Sequence, residues 1–425
     1  MTGFSRRRFV ASAVGASATL AMPAIAYGQS AARVVVIGGG FGGATAARYL
    51  KKASPRLQVT LVEPNRRFVT CPYSNLVLGG MRKIESISFG YDKIAKSGIT
   101  VIHESATAVD PAKKQVRLSG GRMLPYDRLI VSPGIDINWK GLPGYDEKAA
   151  EAMPHAWKAG AQTLLLRRQL EAMPDGGLFV LSSPANPFRC PPGPYERVSM
   201  IASYFKQAKP KSKILILDAK ENFSKQGLFQ DGWQKFYGGM IEWVPASKDG
   251  KVVKVDPKTR TLETEFGQMH KAAVANVVPP QTSGAIARTA GLADASGWCP
   301  IDAMTFESKL VRGIHVVGDA TIAAPMPKSG FSANNQGKVA AAAAVAMLQG
   351  KAPPASTMLN TCYSHIAKDY AISVAGVYRG TPDKGLIEVA DSGGVSPRQW
   401  DDENRRLESI YADGWYASIT GDMFG

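Results

Sequence analysis

A run of glycines directly after a short apolar stretch constrains the start of this chain more than any other feature. Val34-Val35-Val36-Ile37 has the continuous apolar character of a strand buried on both faces. Gly38-Gly39-Gly40-Phe41-Gly42-Gly43 follows at once, and Ala44 to Lys52 has helical composition. Leu57-Gln58-Val59-Thr60-Leu61-Val62 reads as a second strand, closed by Glu63. Gly38, Gly40 and Gly43 let the backbone approach a pyrophosphate at a helix N-terminus. The acid at the end of the second strand suits a hydrogen bond to an adenosine ribose 2′-hydroxyl. The glycine pattern alone is weak; the order strand, glycines, helix, strand, acid is strong. The chain is expected to open on a dinucleotide-binding βαβ unit.

Two later segments return to the same ligand. Tyr126-Asp127-Arg128-Leu129-Ile130-Val131-Ser132-Pro133-Gly134 is a strand ending in a small-residue turn. Gly313-Ile314-His315-Val316-Val317-Gly318-Asp319-Ala320 is another, ending in Gly-Asp. Both resemble motifs of the two-dinucleotide-domain flavoproteins of the glutathione reductase class. That resemblance implies that the carboxylate of Asp319, after Gly318, approaches the ribityl and phosphate part of FAD. The expected fold is α/β, with two Rossmann-like dinucleotide-binding domains of the glutathione reductase type and a C-terminal α+β region. The FAD-binding domain is expected to be discontinuous, residues 31–145 and 286–350. Residues 146–285 should form the second, nicotinamide-domain-like unit, and 351–425 the C-terminal domain.

The second unit departs from a working nicotinamide site. After the strand Gly177-Leu178-Phe179-Val180-Leu181 a second glycine motif should follow. Instead the chain reads Ser182-Ser183-Pro184-Ala185-Asn186-Pro187-Phe188-Arg189-Cys190-Pro191-Pro192-Gly193-Pro194. Prolines remove the amide donors that a pyrophosphate needs. The domain is expected to persist, with Lys213–Asp218 as its second strand, while its nucleotide site is degenerate.

Composition narrows the function classes. The formal net charge is +16, yet Lys and Arg are scattered and no basic helix or aromatic-basic module appears, which argues against nucleic-acid binding. Cys71, Cys190, Cys299 and Cys362 are the four cysteines. None lies within three residues of another, so there is neither a C-x-x-C redox motif nor a C-x-x-C-H haem attachment site. The histidines do not cluster at metal-ligand spacing, and His365, close after Cys362, reads as structural. Ser5-Arg6-Arg7-Arg8-Phe9 precedes an apolar run that ends in Ala24-Ile25-Ala26. This reads as a twin-arginine signal peptide over residues 1–26 and predicts a periplasmic protein loaded with cofactor before export. Gly15 and Pro23 interrupt the run, so stable membrane insertion is not expected.

The cysteine contexts carry a more specific resemblance. They are Thr70-Cys71-Pro72-Tyr73-Ser74-Asn75, Arg189-Cys190-Pro191-Pro192-Gly193-Pro194-Tyr195-Glu196-Arg197 and Asn360-Thr361-Cys362-Tyr363-Ser364. With Met326-Pro327-Lys328-Ser329-Gly330-Phe331-Ser332-Ala333-Asn334-Asn335-Gln336-Gly337-Lys338, they resemble the flavoprotein subunit of flavocytochrome c sulfide dehydrogenase. The sulfide:quinone oxidoreductases are the nearest related family. The resemblance implies FAD joined by a thioether to Cys71. It also implies a redox-active disulfide, Cys190–Cys362, attacked by HS⁻ to give a persulfide, with Glu196 as proton acceptor at a raised pKa. Electrons would leave the flavin for a c-type cytochrome subunit, giving an enzyme that oxidises sulfide to zero-valent sulfur or polysulfide. The positive charge of the chain suits an acidic partner or an anionic substrate such as HS⁻, or serves general solubility. Ser332 is expected to cap the helix that holds the Ala340–Ala344 run, its N-terminus facing the flavin with Lys328 assisting. Cys299 is expected to be a core residue. Two alternatives stand beside this reading. One is a sulfide:quinone oxidoreductase, which needs a lipid-facing segment near the C-terminus, where Ile410-Tyr411 and Trp415-Tyr416 are short and separated. The other is a non-catalytic flavin-binding partner of a sulfur-oxidation complex.

Overall fold

The glycine-rich opening folds as a crossover between parallel strands. The structure, a computed structural model, describes residues 31–425; the expected twin-arginine signal peptide, residues 1–26, lies outside the described residues. β1 (Arg33–Ile37) pairs in parallel with β2 (Gln58–Val62), and α1 (Phe41–Ala53) connects them. β3 (Thr100–Ile102) adds beyond β2, and β4 (Arg128–Val131) adds on the other side of β1. Val34, Val36, Leu61 and Ile130 are fully buried, as their apolar runs require. Each such side chain contributes roughly 1.5–3 kcal/mol of burial.

The chain then builds a second parallel sheet. Its strands are β5 (Leu178–Ser183), β6 (Lys213–Asp218), β7 (Ile241–Val244) and β8 (Val274–Val277), in the order β7-β6-β5-β8. Helix α2 (Gly193–Ala208) links β5 to β6, and α3 (Gln226–Tyr237) links β6 to β7. Pro194 sits in the first turn of α2, where a missing N–H costs nothing.

β9 (Ile314–Val316) returns to the first sheet and completes the order β9-β4-β1-β2-β3. Two dinucleotide-binding lobes result, the α/β architecture expected of the glutathione reductase type. α4 (Gly330–Leu348) packs on α1 through its small residues. A Cβ on Gly337 would stand 2.4 Å from the carbonyl oxygen of Gly42, so only glycine permits this approach.

The C-terminal region is an antiparallel sheet of β10 (Thr357–Ala367), β11 (Tyr370–Thr381) and β12 (Gly385–Glu388), followed by α5 (Asp402–Phe424). Asp401 caps α5 by accepting the Asn404 N–H. The helix locks onto the first lobe: Tyr416 Oη is 2.7 Å from Thr70 Oγ1, and Lys338 Nζ is 2.8 Å from Asp422. Among the described residues, no helix is long and apolar enough to cross a membrane.

Candidate active site

In the first sheet, Ile37 lies in register with Val62 and with Val131, and Val131 with Val316. The strand ends therefore deliver Gly38, Glu63, Ser132 and Gly318 to one edge, where ligands bind in open parallel sheets. Gly38 has φ +94°, and a Cβ there would lie 2.2 Å from the Ser132 carbonyl oxygen. Glu63 is buried and accepts the Gly39 N–H at 2.9 Å.

A cavity of about 690 Å³ starts at this edge. Its lining includes Gly38, Gly40, Glu63 and Asp319 at one end and Cys71, Cys190, Glu196 and Cys362 at the other. The first lobe, the second lobe and the C-terminal sheet each supply one cysteine. Gly43 stands back from the cavity in the first turn of α1. Lys328 also stands back: its ammonium donates to the carbonyls of Asp319 (2.8 Å) and Thr321 (2.6 Å) and lies 3.8 Å from the Trp298 ring. Burial lowers the Lys328 pKa to about 8, against the pull of Asp319. The cap of α4 is Ser329, which accepts the Ser332 N–H at 3.0 Å; this corrects the expectation of Ser332. Both are serines of one turn, and the chain straightens into extended backbone at the first. Cys299 is fully buried, and burial raises its thiol to about 11.

Cys190 occupies a left-handed backbone position, φ +59°, and its N–H donates to the Lys328 carbonyl at 2.9 Å. Its Sγ lies over the first residue of α2, 3.0 Å from where a Gly193 Cβ would be. Cys362 Sγ lies 3.7 Å from the carbonyl oxygen of its neighbour Tyr363. All four cysteines are free thiols. The expected Cys190–Cys362 disulfide is not formed, and the disulfide-based route to a cytochrome is corrected accordingly. Burial pushes the Cys190 thiol well up, with the charges of Cys362, Glu196 and Cys71 adding and Arg189 opposing. Burial raises Cys362 too, against the charge of Lys225.

Glu196 also differs from expectation. Burial pushes its carboxyl up, but hydrogen bonding and charge from His365 and a hydrogen bond from Asn75 outweigh it, and the pKa is lowered. The His365 N–H reaches Oε1 at 2.9 Å and the Asn75 amide reaches Oε2 at 2.8 Å. Glu196 is thus a fixed anion at neutral pH. Sequence reasoning missed Asn75 and Lys225 as site residues and set His365 aside. Only the polar residue after Tyr73-Ser74, and a histidine in the strand of Cys362, hinted at two of them.

In the second lobe, the acid at the end of the second strand is engaged within the protein. Asp218, at the end of β6, accepts Tyr195 Oη at 2.5 Å, Trp243 Nε1 at 3.0 Å and Lys220 Nζ at 2.5 Å. Lys220 also donates to Ser183 Oγ and the Pro184 carbonyl, at 2.8 and 2.9 Å. These bonds occupy both oxygens of the Asp218 carboxylate.

Comparison with known proteins agrees with this geometry. Residues 32–166 match the pyridine nucleotide-disulphide oxidoreductase family. Residues 163–279 match the central part of the sulfide dehydrogenase [flavocytochrome c] flavoprotein chain, and 354–424 the flavin-binding part of flavocytochrome c sulphide dehydrogenase. The sulfide dehydrogenase flavoprotein chain of Chlorobaculum thiosulfatiphilum is 67% identical over 45 residues, 11% of this chain and 94% of that sequence. The chain belongs to the superfamily of sulfide:quinone oxidoreductases and flavocytochrome c sulfide dehydrogenase flavoproteins. Within this superfamily, the mitochondrial sulfide:quinone oxidoreductase of Mus musculus is 22% identical over 310 residues, 68% of this chain and 65% of that protein. The match thus spans just under two thirds of that relative's length. The sulfide:quinone oxidoreductase structure from Aquifex aeolicus has a TM-score of 0.72 at 19% identity and covers 92% of both chains.

Membership makes the chain an FAD-binding oxidoreductase, and its residues fit that cofactor. Asp319 lines the cavity, and its buried Oδ1 has no hydrogen-bond partner among the described residues. Burial raises the pKa of this carboxyl, with Arg189 and Lys328 opposing. A ligand hydroxyl at Oδ1 would satisfy it.

Proposed function

We propose that this chain is an FAD-dependent enzyme that oxidises sulfide and passes the electrons to a quinone. The observation that carries this reading is the convergence of Cys71, Cys190, Cys362 and Glu196 on the cavity that also meets the glycine loop and Asp319. FAD, when bound, supplies the two-electron acceptor. Residues 31–145 and 286–350 would hold it: Gly38, Gly40, Gly43 and Glu63 at the adenosine and pyrophosphate, Gly318 and Asp319 at the ribityl chain, Lys328 bracing the Asp319 loop. Cys71 would anchor it through a thioether. Residues 146–285 bring Cys190 and Glu196, and 351–425 bring Cys362.

The chemistry starts from thiols. One cysteine thiol and HS⁻ would give a cysteine persulfide, one proton and two electrons, the proton leaving to solvent and the electron pair going to the acceptor that bound FAD would supply. A second HS⁻ attacks the outer sulfur, restores the thiol and leaves as the hydrogen disulfide anion. The anion of Glu196 holds the His365 strand in place beside the sulfurs.

A quinone as acceptor is supported by the names of the mouse and Aquifex relatives and by the aromatic wall of the cavity. Phe331, Tyr363 and Trp415 line it, with Trp415 5.9 Å from Phe331 and 6.2 Å from Tyr363. The less polar C-terminal residues, separate in sequence, share one helix. Tyr411 is 57% and Ile410 50% exposed on α5, and Tyr411 is one turn from Trp415. Tyr411 and Trp415 thus place two aromatic rings along one side of α5 toward the cavity. The leader read at residues 1–26 supports a periplasmic setting. The test is sulfide-dependent reduction of a water-soluble ubiquinone analogue by the FAD-loaded protein. Sustained turnover is expected; reduction of cytochrome c with no quinone reduction would overturn the acceptor.

A further inference from the structure

A buried lysine stands beside the sulfur pair without a carboxylate to pair with. Lys225 is 6% exposed and adopts a left-handed backbone, φ +63°, at the N-cap of α3. Such a conformation is uncommon for a non-glycine residue and marks a position held by its surroundings. The side chain leaves the second lobe and reaches β10. Nζ donates to Ser364 Oγ at 2.8 Å and to the Cys362 carbonyl at 3.2 Å. Both acceptors are neutral. Among the described residues Lys225 makes no ion pair: the Glu196 oxygens are engaged by His365 and Asn75, and Glu408 by Arg405. Burying an ammonium costs several kcal/mol unless an anion compensates. A site that keeps one beside two thiols is arranged for an anion that forms there.

We propose that Lys225 is a positioning residue that makes Cys362, rather than Cys190, the thiol that carries sulfur, by holding the negative charge of the Cys362 thiolate and of its persulfide. The proposal rests on the sulfide-oxidising reading and deepens it. The titratable groups facing Lys225 are Cys362, Glu196, Cys190 and Glu408; burial lowers the lysine pKa, and an ionised Cys362 opposes this most strongly. In return Lys225 is the cation that opposes the burial of Cys362, whereas Arg189 plays that part for Cys190. Deprotonation of the Cys362 persulfide leaves a terminal sulfur anion, the proton goes to solvent, and the ammonium compensates the charge. No electrons move in this step.

The experiment compares the full-length, FAD-loaded wild type with Lys225→Gln and Lys225→Arg. Glutamine keeps a donor for Ser364 and the Cys362 carbonyl but removes the charge; arginine keeps both. Alkylation of Cys362 and Cys190 by iodoacetamide is followed by peptide mass spectrometry from pH 6 to 10. The Gln variant should alkylate Cys362 about tenfold or more slowly at pH 7, the scale of losing a nearby opposite charge, with Cys190 little changed. Arg should restore the rate, and the acid limb of the sulfide pH–rate profile should move to higher pH in Gln alone. Equal Cys362 alkylation in wild type and Gln variant would overturn the proposal. Should the Gln variant not fold, the wild type alone decides: Cys362 alkylating no faster than Cys190 at pH 7 overturns it as well. Alkylation needs neither sulfide nor quinone, so its outcome is independent of whether the protein turns them over.

Discussion

Glu196 Oε1 accepts the backbone N–H of His365 at 2.9 Å and so ties the first turn of α2 to the strand that carries Cys362. The bond joins the second lobe to the C-terminal sheet at the sulfur pair, and it holds the carboxylate ionised.

The pH dependence of stability follows. The folded-state pKa of Glu196 is lowered from 4.5, so its stabilisation is complete above the unfolded value and lost as pH falls through the folded one. Urea unfolding should find Glu196→Gln less stable than wild type near neutral pH. The difference should shrink below the ordinary glutamate value of 4.5. A gap that widens on acidification would contradict the ionised assignment.

Lys220 and Asp218 form an almost fully enclosed pair, 10% and 0% exposed. Lys220→Met leaves a buried carboxylate without its cation and should cost about 3–5 kcal/mol by chemical denaturation. In the wild type, stopped-flow mixing should show NADH and NADPH bleaching the flavin far more slowly than sulfide. Rapid bleaching at low NADH would mean that this lobe still admits a nicotinamide.

Gly337 sets the spacing of α1 and α4. Gly337→Ala forces the helices apart and should cost roughly 1–3 kcal/mol, read as a lower Tm together with weaker flavin retention. An unchanged Tm would show that the helices separate freely.

Cys71 lies at the cavity, with Sγ 3.5 Å from the Trp157 carbonyl oxygen. Acid precipitation of the wild type should leave the yellow colour with the protein, and Cys71→Ser should release it. Full release from the wild type would remove the thioether.

The opening βαβ unit was legible because it is local: apolar run, glycines, helix and acid lie within about 30 residues, the span of one such unit. The proline-rich loop after Leu181 was legible for the same reason, since proline acts on its own backbone. Long-range partners were not legible. The fate of the Glu196 carboxyl depends on Asn75 and His365, from two other parts of the chain, and sequence alone suggested burial without their hydrogen bonds. Lys225 gave no signal, because its meaning lies in the strand it reaches. The state of Cys190 and Cys362 depends on their surroundings, so their sequence contexts implied a bond that the fold does not contain. Ser329 and Ser332 are both fair caps by composition, and the choice fell to where the backbone turns.

The central claim is that this cavity oxidises sulfide with cysteine thiols as sulfur carriers. The most direct measurement is an anaerobic titration of the FAD-loaded protein with sulfide, followed by flavin absorbance, with cyanide-labile sulfur counted by peptide mass spectrometry. The account predicts loss of the oxidised flavin band at about one sulfide per flavin, as a two-electron oxidation requires. It also predicts one extra sulfur on Cys362, absent in Cys362→Ser, which keeps its flavin oxidised. Full bleaching of Cys362→Ser by the same amount of sulfide, with no sulfur bound to the protein, would contradict it.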